Sequence, residues 1–268
     1  MGLKQFLLLL AFASSSVAAS TESVLVYDTQ TQAIAYTVNP DQQRPMASIT
    51  KLMTAMVALD SDWNLDRRVM LDPRVGSHLP RQTYTRRELL MAMLVKSDNG
   101  AAETLAQDYP GGRESFLAEM NARARRTGMW QTNYDDASGL SRLNVSTARD
   151  LAILVTAANS YEFIRDVSVR TQILVETGRK KPRKIALSNT NTTALTKFKN
   201  ILVSKTGFTT PAGFCMAIMV EDNQRRYAVI VLGAVDKIKR LTTVSNAISK
   251  HLVPPVVKYS QLYSYGDY

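Results

Sequence analysis

The stretch from Pro45 to Met56 reads P-M-A-S-I-T-K-L-M-T-A-M, and it joins two patterns that seldom share one helix. From Leu52 onward, Met53, Ala55, Met56, Val57 and Leu59 leave almost no polar face, so the sequence predicts a helix buried on most sides. Yet it opens with Ser48 and Lys51, three residues apart and therefore neighbours in the first turn. A lysine drawn inside by such a continuation loses affinity for its proton and can act as a base. A serine at a helix start also has its own N–H pointing out of the N-terminus, where the partial positive charge favours an oxyanion. A plain serine cap beside a solvated lysine reads the same letters equally well, so the rest of the chain has to decide.

On the N-terminal side, V-L-V-Y-D-T-Q-T-Q-A-I-A-Y from Val24 to Tyr36 shows two β-type runs around a polar turn, which predicts a hairpin. On the C-terminal side a long helical region follows. It comprises Arg86 to Val95 behind a Thr85/Glu88 capping pair, Ala101 to Gln107, Arg113 to Thr127 after Y-P-G-G, and Ala148 to Ala158 behind Ser146 or Thr147. The period then returns to strands at Ile201 to Lys205, Phe214 to Glu221 and Tyr227 to Ala234, with a turn at Asp222-Asn223-Gln224 and a last helix over about Lys237 to Leu252. Strands at both ends with helices between predict an α/β fold of the α+β type. One antiparallel sheet is built from both ends of the chain and flanked by helices, with a mostly helical subdomain inserted in the middle. No internal repeat or long linker interrupts it.

The chain has 268 residues, 45% hydrophobic and 21% charged, enough to bury a sizeable core. Lys4, the apolar run Phe6 to Ala13 and the small residues Val17-Ala18-Ala19 before Ser20 predict a secretory signal over residues 1–19, since the run is too short to span a bilayer. The expected division is signal, a single catalytic domain over 20–252, and a short tail over 253–268. Cys215 is the only cysteine, so neither a disulfide nor an N-terminal lipid anchor is available, and it is expected to be a small buried hydrophobe. Net charge is +10, or +9 once Lys4 leaves with the signal, which suits at most a peripheral association with anionic walls and membranes. The basic run Arg179 to Lys184 resembles a nucleic-acid patch, but export and the habit of charge runs to stay solvated favour a basic turn with no nucleic-acid partner.

Two further short motifs stand near element boundaries. In Ser97-Asp98-Asn99-Gly100 one helix stops and another begins, and a hydroxyl and an amide two residues apart can relay a proton and hold a carbonyl or the lysine. In Lys205-Thr206-Gly207, on a strand continuing into Phe208-Thr209, a lysine and a hydroxyl can bind a carboxylate, and a glycine lets a substrate backbone lie against the strand edge. Each motif alone is outweighed by a structural reading, a helix stop or an edge strand with a solvated lysine.

In combination, S-x-x-K, S-x-N and K-T-G, in this order and on these element types, resemble the penicillin-recognising serine acyltransferases. The blocks R-P-M-A-S-I-T-K-L-M-T-A (44–55), D-A-S-G-L-S-R-L-N-V-S-T-A-R-D-L (136–151), S-N-T-N (188–191) and S-K-T-G-F-T-T-P-A-G-F-C (204–215) are similar to the low-molecular-mass penicillin-binding proteins. Within these the likeness is to the D-alanyl-D-alanine endopeptidase and carboxypeptidase family, especially its endopeptidase branch. The resemblance implies a β-lactamase/transpeptidase-like fold and a periplasmic hydrolase of wall biogenesis and cell shape. Its partners would be peptidoglycan stem peptides and cross-links, with β-lactams as covalent inhibitors, and it would need no metal or organic cofactor.

The resemblance also implies roles. Ser48 would be the acylated nucleophile, Lys51 its base, Ser97 a partner in proton handling and Asn99 a holder of the peptide. The N–H groups of Ser48 and Phe208 would receive the oxyanion, while Lys205, Thr206 and Thr209 face the substrate's anionic side along Gly207. Thr210-Pro211, and Phe214 where endopeptidase-type relatives tend to carry histidine, depart from the pattern and bear on substrate preference. The short tail favours an endopeptidase over a carboxypeptidase, which stays as the alternative. A class A β-lactamase would need E-x-x-x-N, and no glutamate here has asparagine four residues on. A wall-binding or penicillin-sensing module without turnover is the reading from another class.

Overall fold

The computed structural model describes residues 22–61, 63–72, 74–178 and 183–252. The expected signal (1–19), the tail (253–268) and residues 179–182 of the basic run lie outside the described residues; Arg183 and Lys184 belong to a strand, where Lys184 pairs with Glu176.

The chain opens with β1 (Ser23–Asp28), β2 (Ala33–Val38) and β3 (Arg44–Pro45). A 3-10 turn (Ala47–Ile49) leads into α1 (Thr50–Asp60), then β4 (Arg68–Met70), β5 (Thr83–Thr85), α2 (Arg86–Val95), α3 (Asn99–Gln107) and α4 (Gly112–Arg126). Next come β6 (Val145–Ser146), α5 (Ala148–Ala158), α6 (Glu162–Ser168), β7 (Gln172–Thr177), β8 (Arg183–Ser188) and α7 (Thr192–Lys197). The last elements are β9 (Ile201–Thr209), β10 (Gly213–Asp222), β11 (Arg225–Ala234) and α8 (Lys237–His251).

Among the described residues the main sheet runs β2-β1-β11-β10-β9, antiparallel throughout, so the first strands of the chain pair with the last, Val24 opposite Val231. Its central strands are apolar on both faces because helices cover both. Leu25, Ile230, Leu232, Ala217 and Val203 join the core that contains α1 and α5, while Val26, Val229, Val231, Met216 and Ile218 pack toward Val244 and Ala247 of α8. β9 is left at the edge, turned toward the 3-10 turn and the helical part. The β10–β11 hairpin closes over Asn223 and Gln224 at φ 47° and 63°, the left-handed pair that matches strand twist.

Every residue of α1 from Thr50 to Ala58 is buried, the outcome its continuous apolar sequence demands. The expected caps are present: Thr85 and Glu88 form a reciprocal capping box on α2, and of the two candidates before α5 it is Thr147 whose hydroxyl accepts from Asp150 N–H. Sequence reasoning missed the two-stranded pairs β3–β6, β4–β5 and β7–β8, and helices α6 and α7. The first two pairs have strands of two or three residues, too short for any period to register. In β7 the alternation Q-I-L-V-E-T was legible, with Ile173, Val175 and Thr177 inward. Among the described residues no helix is long and apolar enough to cross a membrane.

Candidate active site

Ser48 sits in the 3-10 turn rather than in the α-helix itself, with Lys51 in the first turn of α1. The turn is held from outside: Met46 N–H donates to Asn144 C=O, and Pro45 lies opposite Val145. Ala47, just before the nucleophile, has φ 48°, and Ser97 has φ 62°. Two side-chain-bearing residues in the left-handed region thus flank one site, a conformation that persists only where the surroundings enforce it.

The block D-A-S-G-L-S (136–141) wraps a turn around a carboxylate. Asp136 Oδ1 accepts from Ser138 N–H (3.0 Å) and Gly139 N–H (2.5 Å), and its Oδ2 accepts from Ser141 N–H (2.6 Å). Asn144 Nδ2 donates to the same residue and to Thr50 Oγ1, tying this turn to α1. A Cβ on Gly139 (φ 82°) would lie 2.0 Å from the Ala47 carbonyl oxygen, so only glycine fits there. The result is that the Ser138 carbonyl is aimed at Lys51.

Lys51 Nζ lies 2.9 Å from Ser48 Oγ, 2.7 Å from Asn99 Oδ1 and 2.5 Å from Ser138 C=O. Two of these partners can only accept. A neutral amine gives its two hydrogens to them and leaves its lone pair facing the one partner with a proton to lose, Ser48 Oγ–H. Burial disfavours the charged form and brings Lys51 down to about 7, against the opposing pull of Asp136, Asp98 and Glu103. Near neutrality a large share of the amine is therefore free.

Asn99, expected to hold either a carbonyl or the lysine, holds the lysine through Oδ1 and leaves Nδ2 for a ligand. Its loop is pinned by Asp98, which caps α3 at Ala101 N–H and accepts from Ser77 Oγ and His78 N–H. Lys205, expected to face the anionic side of a substrate, is 1% exposed and donates to Ser97 Oγ (2.9 Å) and Thr206 C=O (2.8 Å). Burial, then the charges of Lys51 and Arg240, push its proton affinity well below that of an ordinary lysine. Lys205 thus supports Ser97 from behind.

Thr206 Oγ1 bonds Thr190 Oγ1 at 2.7 Å, bringing the S-N-T-N block to the cleft. Thr209 closes the turn into β10, its carbonyl and hydroxyl both accepting from Ala212 N–H, and does not line the cleft. Gly207 permits a close approach within the protein itself: a Cβ there would stand 3.0 Å from Ala47 Cβ, Met46 C=O and Ser48 N. β9 can approach the Ser48 N–H this closely only because this position lacks a side chain, and Phe208 is the next residue along the strand.

These groups open on a cleft of about 480 Å³ lined by Ser48, Ser97, Asn99, Thr206, Gly207 and Phe208. It is also lined by residues that sequence reasoning did not select as site residues: His78, Lys96, Leu140, Thr190, Phe214, Lys237 and Arg240. Arg240 had a signal. It stands at the i position of the buried stripe Arg240, Val244, Ala247 of α8, where a charge is unexpected. It is 8% exposed, donates to Cys215 C=O at 3.4 Å, and its Nε has no partner among the described residues. Cys215 is fully buried, with its thiol pushed up to about 11 by burial.

The profile of the D-alanyl-D-alanine carboxypeptidase family matches residues 11–236. A D-alanyl-D-alanine endopeptidase of Pseudomonas aeruginosa is 40% identical over 228 residues, 80% of this chain and 72% of the relative. The crystal structure of the Streptomyces K15 DD-transpeptidase superposes with a TM-score of 0.80 at 26% identity, covering 86% of this chain and 96% of that one. Penicillin-binding protein D2 from Listeria monocytogenes, in its cefotaxime-bound form, gives a TM-score of 0.74 at 30% identity over 85% of this chain and 95% of that one.

Proposed function

The chain belongs to the D-alanyl-D-alanine carboxypeptidase family and is a serine DD-peptidase; from that premise we propose that it cleaves D-alanyl cross-links of peptidoglycan through an acyl-enzyme on Ser48. The observation that carries the chemistry is the Lys51 amine, whose two acceptor-only neighbours leave its lone pair for Ser48 Oγ–H. The cross-link as target is supported by the likeness to a relative named an endopeptidase.

In the proposed sequence Lys51 takes the Ser48 proton as Oγ bonds to the D-alanine carbonyl carbon. The N–H groups of Ser48 and Phe208 receive the oxyanion. The C–N bond then breaks, and the leaving amine takes a proton that Lys51 supplies by way of Ser97, which Lys205 orients. Asn99 Nδ2 holds the acyl strand. Water attacks the ester carbon and gives a proton to Lys51, which passes it to Ser48 Oγ as the acyl C–Oγ bond breaks. Thr206 and the buried guanidinium of Arg240 lie where the carboxylate of the leaving residue would be held. A β-lactam presents the same carbonyl and carboxylate but retains its leaving nitrogen tethered, so it acylates Ser48 and departs slowly.

Export to the periplasm, peripheral contact with wall or membrane, and a catalytic unit over residues 20–252 belong to the same reading, supported by the leader-like N-terminus and the cationic charge. Two measurements test it. Fluorescent penicillin should label the protein, with mass spectrometry placing the adduct on Ser48; folded protein that never labels overturns the mechanism. Cross-linked dimeric muropeptides should yield monomers at a rate comparable to or above D-alanine release from pentapeptides. D-alanine release with dimers untouched overturns the cross-link assignment in favour of a carboxypeptidase.

A further inference from the structure

Directly opposite each other on β9 and β10, Phe208 and Phe214 stack with ring centroids 4.3 Å apart and planes at 29°. Phe208 is 55% exposed although the described residues form two apolar clusters that could bury it. Both rings line the catalytic cleft, and Lys237 and Arg240 line it beside them. By strand alternation the rings share the face of Thr206, the α8 side of the edge strand, so they stand on the same side as the two cations. An exposed ring stacked on the partly buried Phe214, in a cleft that two cations also line, is complementary to a group that is anionic at one end and an apolar chain beyond it.

We propose that Phe208 and Phe214, with Lys237 and Arg240, form the subsite of the leaving residue and select a D-amino acid with a long unbranched alkyl side chain over D-alanine. The inference deepens the cross-link reading and rests on the serine DD-peptidase chemistry proposed for Ser48. In a cross-link the amine released belongs to a diamino acid whose carboxylate lies next to the broken bond and whose methylene chain runs away from it. The cations hold that carboxylate, and the methylene chain lies along the stacked rings. The methyl of D-alanine is too short to cover them. A flat, open platform tolerates a chain that continues into a second peptide, where an enclosed pocket would not.

The test uses peptides that share one acyl part ending in D-alanine and differ only in the leaving residue: D-alanine, D-norleucine, or the D-centre of a diamino acid. Wild-type kcat/KM should be about tenfold higher for the long-chain residues than for D-alanine. Phe214→Ala should reduce that preference to about twofold, acting mainly through KM, while Phe214→Leu keeps most of it by retaining apolar area. Circular dichroism and the rate of penicillin labelling at Ser48 show whether each variant is folded and competent. Equal loss on all three peptides, or a wild-type preference for D-alanine, overturns the platform while leaving penicillin labelling, and with it the DD-peptidase reading, intact. Preference for long chains without cleavage of dimeric muropeptides leaves the platform standing and overturns the cross-link assignment alone.

Discussion

The rate of acylation by a penicillin should follow the free amine of Lys51, and its pH profile can be worked from the site. With Lys51 near 7, about 1% of the amine is neutral at pH 5, about half at pH 7 and about 99% at pH 9. The second-order labelling rate should therefore rise close to tenfold per unit from pH 5 to 6.5, bend near 7 and level off above 8, a total span of about 100-fold. A lysine at its ordinary value near 10.5 would instead keep the rate climbing tenfold per unit through pH 9. Stopped-flow or gel-based labelling with a fluorescent penicillin between pH 5 and 9 separates the two. A rate flat over this range, or one still rising linearly at pH 9, would refute Lys51 as the base.

The same shift carries a sign for stability. The unfolded chain keeps the Lys51 proton up to about 10.5, the folded chain releases it near 7, and between those values the unfolded state binds more protons. Stability attributable to this group is lowest below pH 7, rises with pH across the window and is fully regained above it. Lys205 acts in the same direction, so the comparison must be wild type against a Lys51→Met variant, whose urea-unfolding midpoint should lack part of that rise.

Three substitutions probe the rest of the site. Gly207→Ala should cut penicillin labelling tenfold or more, because a Cβ at 3.0 Å from Ser48 N drives β9 off the nucleophile turn; its melting temperature should fall by only a few degrees, and unaltered labelling would refute the contact. Asn144→Ala removes a fully buried amide that donates to Thr50 and Asp136, so it should destabilise by about 2–4 kcal/mol and slow acylation together, read by denaturant titration and labelling. Thr85→Ala should cost about 1 kcal/mol through loss of the capping box on α2, with labelling kinetics unchanged once the protein is folded.

By itself the sequence determined the elements with strong local period. The apolar run after Lys51, the capping pair at Thr85 and Glu88 and the alternating strands near both ends predict helices and strands that the structure has, because burial imposes its period on the letters. It also determined the order of the three motifs, and with it the family. Strands of two or three residues such as β3 and β6 left no trace, since they exist only where tertiary contacts bring Pro45 opposite Val145.

Tertiary structure alone decided how the motif residues are partnered. Asn99 could have held a substrate or the lysine, and the choice came from the Asp98 cap and the approach of α3 to α1. Lys205 turned out to brace Ser97, and Arg240, whose place on the buried stripe of α8 marks it as unusual, entered the cleft from more than thirty residues further along, a destination that no local pattern encodes. The proton affinity of Lys51 is likewise a property of the whole fold. A lysine keeps its proton in water, and it gives way here only because α1, the Asp136 turn and α3 close around the amine and leave it two carbonyls and one hydroxyl.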